Sequence, residues 1–201
     1  MVEISAQMVK DLRESTGAGM MDCKNALSEA EGNAEKAVDI LRKKGLSRAA
    51  KRVGRATNEG AVGSYIHMGG KIGVLVEVNC ESDFVAKNVD FQSFVKDIAM
   101  HVAASSPQYL EKDDISEAVL DKEREIYRAQ VKDAKKPENV IEKIVEGKIN
   151  KYFTEVCLLD QPFVKDTNIS VRDYLNNIIA KLGENIVIRR FVRFQLGEAT
   201  D

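Results

Sequence analysis

Few residues in this chain are equipped for covalent or metal chemistry. The two histidines, His67 and His101, lie far apart and form no pair with metal-ligand spacing. Cys23, Cys80 and Cys157 are odd in number, widely spaced and without a C-x-x-C pair, which argues against a disulfide framework or a zinc site. No G-x-x-x-x-G-K-[ST] loop is present to cradle phosphates. Gly17-Ala18-Gly19 precedes a helix but lacks the strand that a dinucleotide site requires, and no serine stands in a nucleophile elbow. Asp113-Asp114 falls at a helix start, where an acidic pair serves the helix end better than catalysis. These observations predict a protein that is not an enzyme and holds no cofactor or metal of its own.

The stretch that invites a functional reading is Asn79-Cys80-Glu81-Ser82-Asp83-Phe84-Val85-Ala86-Lys87-Asn88, a polar run with one aromatic between a strand and a helix. Two readings stand. In a continuous helix Phe84 and Phe91 share one buried face, because seven residues make two turns. If Asp90 caps a helix that begins only there, Asp83 and Phe84 sit on a projecting tip, the form a protein-wedging element would take. A second stretch, Arg42 to Arg55, carries Arg42, Lys43, Lys44, Arg48, Lys51, Arg52 and Arg55 with no acid among them. It is either a phosphate-binding patch or a solvated linker helix; no aromatic residue interleaves for base stacking.

The elements that must position these residues change period along the chain. Ser5 caps a first short helix with Ile4, Met8 and Leu12 at helical spacing, and Thr16-Gly17-Ala18-Gly19 breaks it. A second helix runs from about Met20 to Ala30, with Cys23, Leu27 and Ala30 on one side. Gly32-Asn33 makes a turn and the N-cap of a third, which carries Ala34, Ala37, Val38 and Leu41 and ends at Gly45. Then come two strands, Gly60 to His67 and Ile72 to Cys80, around Met68-Gly69-Gly70-Lys71, whose glycine pair suits a tight hairpin. A long helix follows with Phe91, Phe94, Val95, Ile98 and Val102 as its stripe. Two more helices, about Ser116 to Ala134 and Pro137 to Val156, break at Lys135-Lys136-Pro137 and form an antiparallel hairpin arm. Ser170 and Asp173 make a capping-box-like start to a helix that ends at Leu182-Gly183. The last strand, Asn185 to Leu196, places Ile186, Ile188, Val192, Phe194 and Leu196 in alternation and completes a three-stranded antiparallel sheet. The predicted class is α+β: an N-terminal three-helix module over residues 1–45, a basic linker over 46–59, and a sheet-and-helix core over 60–201 that includes a helical hairpin at about 112–156.

Composition permits this organisation. Across 201 residues, 44% are hydrophobic, enough for buried cores, and 31% are charged. A net charge of −2 announces neither a nucleic-acid nor a membrane-surface binder. The opening residues lack a signal-peptide core, and apolar runs fall short of the ~20 residues a membrane span needs, so a soluble, cytoplasmic protein is expected.

Two long segments resemble the elongation factor Ts family. Leu12-Arg13-Glu14-Ser15-Thr16-Gly17-Ala18-Gly19-Met20-Met21-Asp22-Cys23-Lys24-Asn25-Ala26-Leu27 looks like its N-terminal signature. Ile72 through Lys87, reading IGVLVEVNCESDFVAK, looks like its second. The likeness continues through Met100-His101-Val102-Ala103-Ala104, Gln161-Pro162-Phe163-Val164 and Gly183-Glu184-Asn185-Ile186, so it covers essentially the whole chain. The resemblance implies that the N-terminal module is ubiquitin-associated-like. It also implies a guanine-nucleotide exchange factor that binds the GDP form of elongation factor Tu, disturbs its Mg²⁺ site and promotes GDP release. Such a factor stays on the empty GTPase until GTP binds.

By that resemblance Ser82, Asp83, Phe84 and Val85 form the element that dislocates Mg²⁺; Ser82 stands where the family usually has Thr and keeps the hydroxyl. Met20, Met21, Lys24, His67, Leu182 and Gly183 match positions that contact the partner. Met20 and Met21 have bundle packing as the other reading, and His67 has a turn-flanking role. A single core copy resembles the short family members that act as homodimers, two chains with two GTPases. The implied partners are therefore elongation factor Tu and a second copy, with no membrane and no direct nucleic acid. A rival adaptor or nucleic-acid-binding module would bind RNA or DNA through the basic stretch with strong salt dependence. A hidden enzyme would show a concave pocket with shifted titrating groups.

Overall fold

The computed structural model describes residues 4–131 and 137–199; Lys135 and Lys136, at the expected break in the arm, lie outside the described residues. Helices α1 (Ala6–Thr16), α2 (Met20–Glu29) and α3 (Ala34–Ala50) come first. Ser5 caps α1, its hydroxyl accepting the Met8 N–H at 3.2 Å, and Gly17 ends it in the left-handed region at φ 67°. Asn33 caps α3 by accepting the Lys36 N–H at 2.9 Å. Leu12, Cys23, Ala26, Leu27 and Ala37 close a small core, with Ile40 and Leu41 packed on it.

The third helix does not stop at Gly45; it continues to Ala50. Gly45 does not take the left-handed φ of a glycine C-cap, so it does not end the helix; a methyl there would meet the Ala180 Cβ at 3.5 Å, an ordinary contact distance.

Strands β1 (Glu59–Ile66) and β2 (Ile72–Cys80) form the hairpin, with Gly69 and Gly70 at φ 89° and 69°. The short helix α4 (Asp83–Ala86) and the long α5 (Val89–Ser105) follow. The arm is α6 (Glu117–Val131) with α7 (Glu138–Val156), and α8 (Val171–Leu182) precedes β5 (Ile186–Gln195). The main sheet has the order β1-β2-β5 and is antiparallel. A second, two-stranded sheet pairs β3 (Pro162–Phe163) with β4 (Asp166–Ser170). No apolar alternation announces it, because β4 is mostly exposed.

Two compact units emerge. The first holds the chain through Val62, Glu77–Val95 and Asp173–Arg189; the second holds Gly63–Val76, Lys96–Arg172 and the segment from Arg190 onward. In the first, Phe91 and Phe94 are fully buried, and the Phe94 ring meets Tyr174 edge-on at 5.1 Å between centroids. In the second, Ile115, Leu120, Val156 and Cys157 form a cluster under the arm, with Tyr109, Tyr152 and Phe153 against it.

Strand β5 departs from simple alternation. Ile186 and Ile188 are buried, Arg189 and Arg190 are both exposed, and beyond them Val192 and Phe194 face outward. Val192, Phe194 and Leu196 therefore do not join the buried face that Ile186 and Ile188 occupy.

Two stability predictions arise here. Gly60 has φ 144°, and a Cβ there would lie 2.2 Å from the Val78 carbonyl oxygen. Gly60→Ala is expected to destabilise by about 3 kcal/mol, read as a lower urea midpoint. The second concerns His101, buried in the second unit. Its Nδ1 accepts the Val164 N–H at 3.2 Å and its Nε2 faces Gln161 Oε1 at 2.9 Å. Burial lowers its pKa below the ordinary 6.5, only partly opposed by the Gln161 bond. The native state thus holds a neutral imidazole, whereas the unfolded chain protonates it near 6.5. The stability this contributes is complete above that pH and is lost as pH falls through the lower folded value. Urea midpoints measured from pH ~7.5 to ~5 are expected to fall, and to fall less in His101→Gln.

Candidate functional site

The tip following β2 is built from caps. Ser82, extended at φ −130° and ψ 156°, caps α4, its hydroxyl accepting the Val85 N–H at 3.4 Å. After one turn the chain resets: the Asn88 side chain accepts the Asp90 N–H at 2.8 Å, and its carbonyl accepts from Gln92 at 3.0 Å. Asn88, not Asp90, therefore starts α5, and the continuous helix through Phe84 and Phe91 does not form. Phe91 is fully buried while Phe84 is 83% exposed. Asp83 receives the Lys87 ammonium at 2.8 Å across the one-turn helix. That hydrogen bond holds the Asp83 carboxyl below its ordinary range, so the tip presents an anion beside an exposed aromatic. Val89, also exposed, flanks it.

The tip is fastened to the segment after α8. Glu184 Oε2 accepts the backbone N–H of Glu81 at 3.1 Å and of Ser82 at 3.0 Å, while the Ser82 hydroxyl donates to Glu184 Oε1 at 2.5 Å. In return Glu81 Oε1 accepts the Asn185 N–H at 2.6 Å. The Asn185 side-chain amide donates to the Arg55 carbonyl at 3.0 Å, and the Arg55 guanidinium lies 3.7 Å from Glu81. The hydroxyl that serine shares with threonine is thus used twice. Glu81, Glu184, Asn185 and Lys87 carried no role in the sequence reading; acids and an amide flanking a strand end are their only sequence signal.

Met20 and Met21 are 59% and 65% exposed, so they do not pack the bundle core. With Lys24, Gly17, Arg13 and Lys181 they line a groove of about 860 Å³ in the first unit. Asp22, between them, takes a bidentate pair of bonds from Arg48 at 2.8 Å each, and that hydrogen-bonded pairing lowers the Asp22 pKa. Leu182 closes α8, and Gly183 follows at φ 81°, directly before Glu184. His67 belongs to the second unit, at the end of β1, where its Nδ1 lies 3.1 Å from the Tyr65 hydroxyl.

The basic stretch is engaged inside its own unit. Arg42 pairs with Asp173 at 3.1 Å, Lys44 with Glu29 at 2.8 Å and Arg48 with Asp22, while Arg52 donates to the Ile179 carbonyl at 3.4 Å. All three cysteines are free and buried. Burial pushes the Cys80 and Cys157 thiols up to about 11, so both remain protonated and unreactive at neutral pH. Among the described residues, no helix is long and apolar enough to cross a membrane.

A family model described as Elongation factor TS matches residues 2–198. The chain is 62% identical over 195 residues to Elongation factor Ts of Carboxydothermus hydrogenoformans, covering 97% of this chain and 90% of that relative. It is 61% identical over 198 residues to the protein of that name from Thermoanaerobacter pseudethanolicus, covering 98% and 97%. A third, from Geobacter metallireducens, is 59% identical over 197 residues, covering 98% and 91%. With matches that run nearly from end to end, the chain belongs to the elongation factor Ts family.

Proposed function

We propose that this chain is a guanine-nucleotide exchange factor for elongation factor Tu in translation elongation, acting in the cytoplasm without covalent chemistry. The observation that carries this reading is Phe84, 83% exposed on a turn whose backbone is otherwise held by hydrogen bonds. A large aromatic held in water gains by entering a partner's crevice, and a fixed turn loses little entropy on docking. The Asp83–Phe84 tip enters the GTPase and disturbs the site of its nucleotide-bound Mg²⁺. That ion demands near-ideal octahedral oxygen geometry, so a ligand displaced by ~1 Å releases it readily. Asp83 exchanges its Lys87 partner for donors on the GTPase and fixes the angle of the ring. Ser82 and Val85 set the turn.

Linkage supplies the direction. A protein that prefers the empty GTPase to its GDP form weakens GDP by the same factor, about 1.4 kcal/mol per tenfold. The complex persists until GTP binds and displaces the factor. Met20, Met21 and Lys24 contact the nucleotide domain, methionines suiting an adaptable surface; His67, Leu182 and Gly183 contact the partner farther from the nucleotide. In this division residues 1–45 are the contact module, 46–59 the connector and 60–201 the core, with the hairpin at about 112–156 as an arm.

The active species we propose is a homodimer, two chains serving two GTPases. Ile66, Met68, Leu75, Val192, Phe194 and Leu196, all in the second unit, are exposed apolar residues on and beside its strands. Leu75 points away from buried Val74 and Val76, and Ile66 lies over Gly73 on the same side as Leu75. A patch of this kind marks an interface, and a second copy supplies a matching one.

Release of a fluorescent GDP analogue from purified elongation factor Tu tests the exchange reading. Acceleration by micromolar chain supports it; an unchanged rate overturns it.

A further inference from the structure

The exchange reading assigns roles to the tip and to Gly183 but leaves open what aims the tip. We infer that Glu184 is the positioning residue for the Asp83–Phe84 turn, and that Gly183 acts through it. This inference rests on the proposed exchange function for its purpose, though not for its geometry.

Strand β2 ends at Cys80, and α4 does not begin until Asp83, so the N–H groups of Glu81 and Ser82 have no partner in either element. One carboxylate takes both. Glu184 Oε2 accepts them at 3.1 and 3.0 Å, and Oε1 accepts the Ser82 hydroxyl at 2.5 Å. Bonds to an ionised acceptor are about twice as strong as neutral ones, and three donors meeting two oxygens define position and rotation together. The exchange is reciprocal, because Glu81 Oε1 accepts the Asn185 N–H at 2.6 Å. Each segment thus closes the other's open backbone. The Cys80 thiol, donating to the Ser82 carbonyl at 3.2 Å, adds a further tie at the same residue.

Glu184 can reach only because α8 stops where it does. Gly183 takes φ 81° with its N–H on the Ile179 carbonyl at 3.0 Å, a glycine C-cap that reverses the chain within one residue. A side chain at 183 would be strained there, and the next residue would swing away. The partner contact expected of Gly183 from family likeness is therefore joined by a second role, which is to deliver the carboxylate. Ser82 carries two roles by the same token: its hydroxyl caps α4 and donates to Glu184. The braced residues precede Phe84 by two and three positions, so a small rotation at Ser82 becomes a larger displacement at the ring.

The test uses the full chain and two readouts. First, amide hydrogen exchange is measured at Glu81 and Ser82 in the wild type and in Glu184→Gln. Gln keeps the size but loses the charge: a neutral amide oxygen accepts the two N–H groups more weakly, and its NH2 cannot accept from the Ser82 hydroxyl. The brace predicts protected amides in the wild type and about tenfold faster exchange in the variant. Equal protection in both overturns the inference whatever the activity. Second, stimulated GDP release from elongation factor Tu is compared for wild type, Glu184→Gln, Phe84→Ala and the double variant, below the melting temperature of each. A positioning role predicts that Glu184→Gln reduces kcat/KM for exchange about tenfold, yet adds nothing once Phe84 is gone. Multiplicative losses in the double variant would show Glu184 acting independently of the tip, and that also overturns it. Should the wild type fail to accelerate release, the exchange reading falls while the amide measurement still decides the brace.

Discussion

Asp83→Ala, Phe84→Ala double substitution is expected to abolish stimulation of GDP release, by about a hundredfold or more, while leaving the protein as stable as the wild type. Both halves of this expectation come from exposure. Phe84 is 83% accessible, so its removal empties no cavity, and the Asp83–Lys87 pair is a solvent-screened contact of little stabilising worth. The fold therefore has no reason to respond, and melting temperatures should agree within about 2 °C. The GTPase has every reason to respond if these two side chains perform the insertion. Losing a hot-spot aromatic at an interface costs about 2–4 kcal/mol in the state it stabilises, which is thirtyfold to nearly a thousandfold in rate. Stopped-flow release of the labelled nucleotide, with thermal melts alongside, checks both parts. Stimulation that survives would keep the exchange function and move the wedge, with the exposed Met20, Met21 and Lys24 surface as the next place to look.

Phe194→Glu is expected to separate the proposed dimer into monomers. Phe194 is 65% exposed on β5, with Val192 two residues before it on the same side, and Leu75 and Ile66 represent the other strands. A carboxylate placed at the centre of a closed apolar interface would be buried without a partner. That raises the dissociation constant by about a hundredfold or more. Light scattering on size-exclusion peaks at micromolar concentration reads the change directly. A monomeric wild type would overturn the homodimer, and a variant that remains dimeric would place the interface elsewhere. An interchain Cys157 bridge is not expected in either case, since that thiol is fully buried and kept protonated.

Local chemistry made most of the elements legible in the sequence. Ser5 and Asn33 cap the helices they were expected to cap, and Gly69-Gly70 supplies both positive φ angles of the hairpin. Val74, Val76 and Val78 face inward on β2, as a period of two requires. These features depend on residues within about one turn of each other, so a linear reading captures them. Gly45 misled because glycine ends a helix when it takes a left-handed φ, and Gly45 does not take one, so α3 runs on to Ala50.

The sequence by itself determined which stretch was unusual: an isolated aromatic beside an acid, within two long segments that resemble one family. Periodicity alone could not choose between a buried and a projecting Phe84, since seven residues make two turns in any uninterrupted helix. The tertiary structure chose. Ser82 and Asn88 cut the helix, and the carboxylate of Glu184, about a hundred residues away in sequence, holds the first cut in place. Hydrogen bonds between segments so far apart leave no periodic trace in the sequence. The end of β5 is of the same kind: Val192 and Phe194 carry the alternation of a buried face, yet both are exposed, because what covers a strand is decided by packing its own sequence does not record.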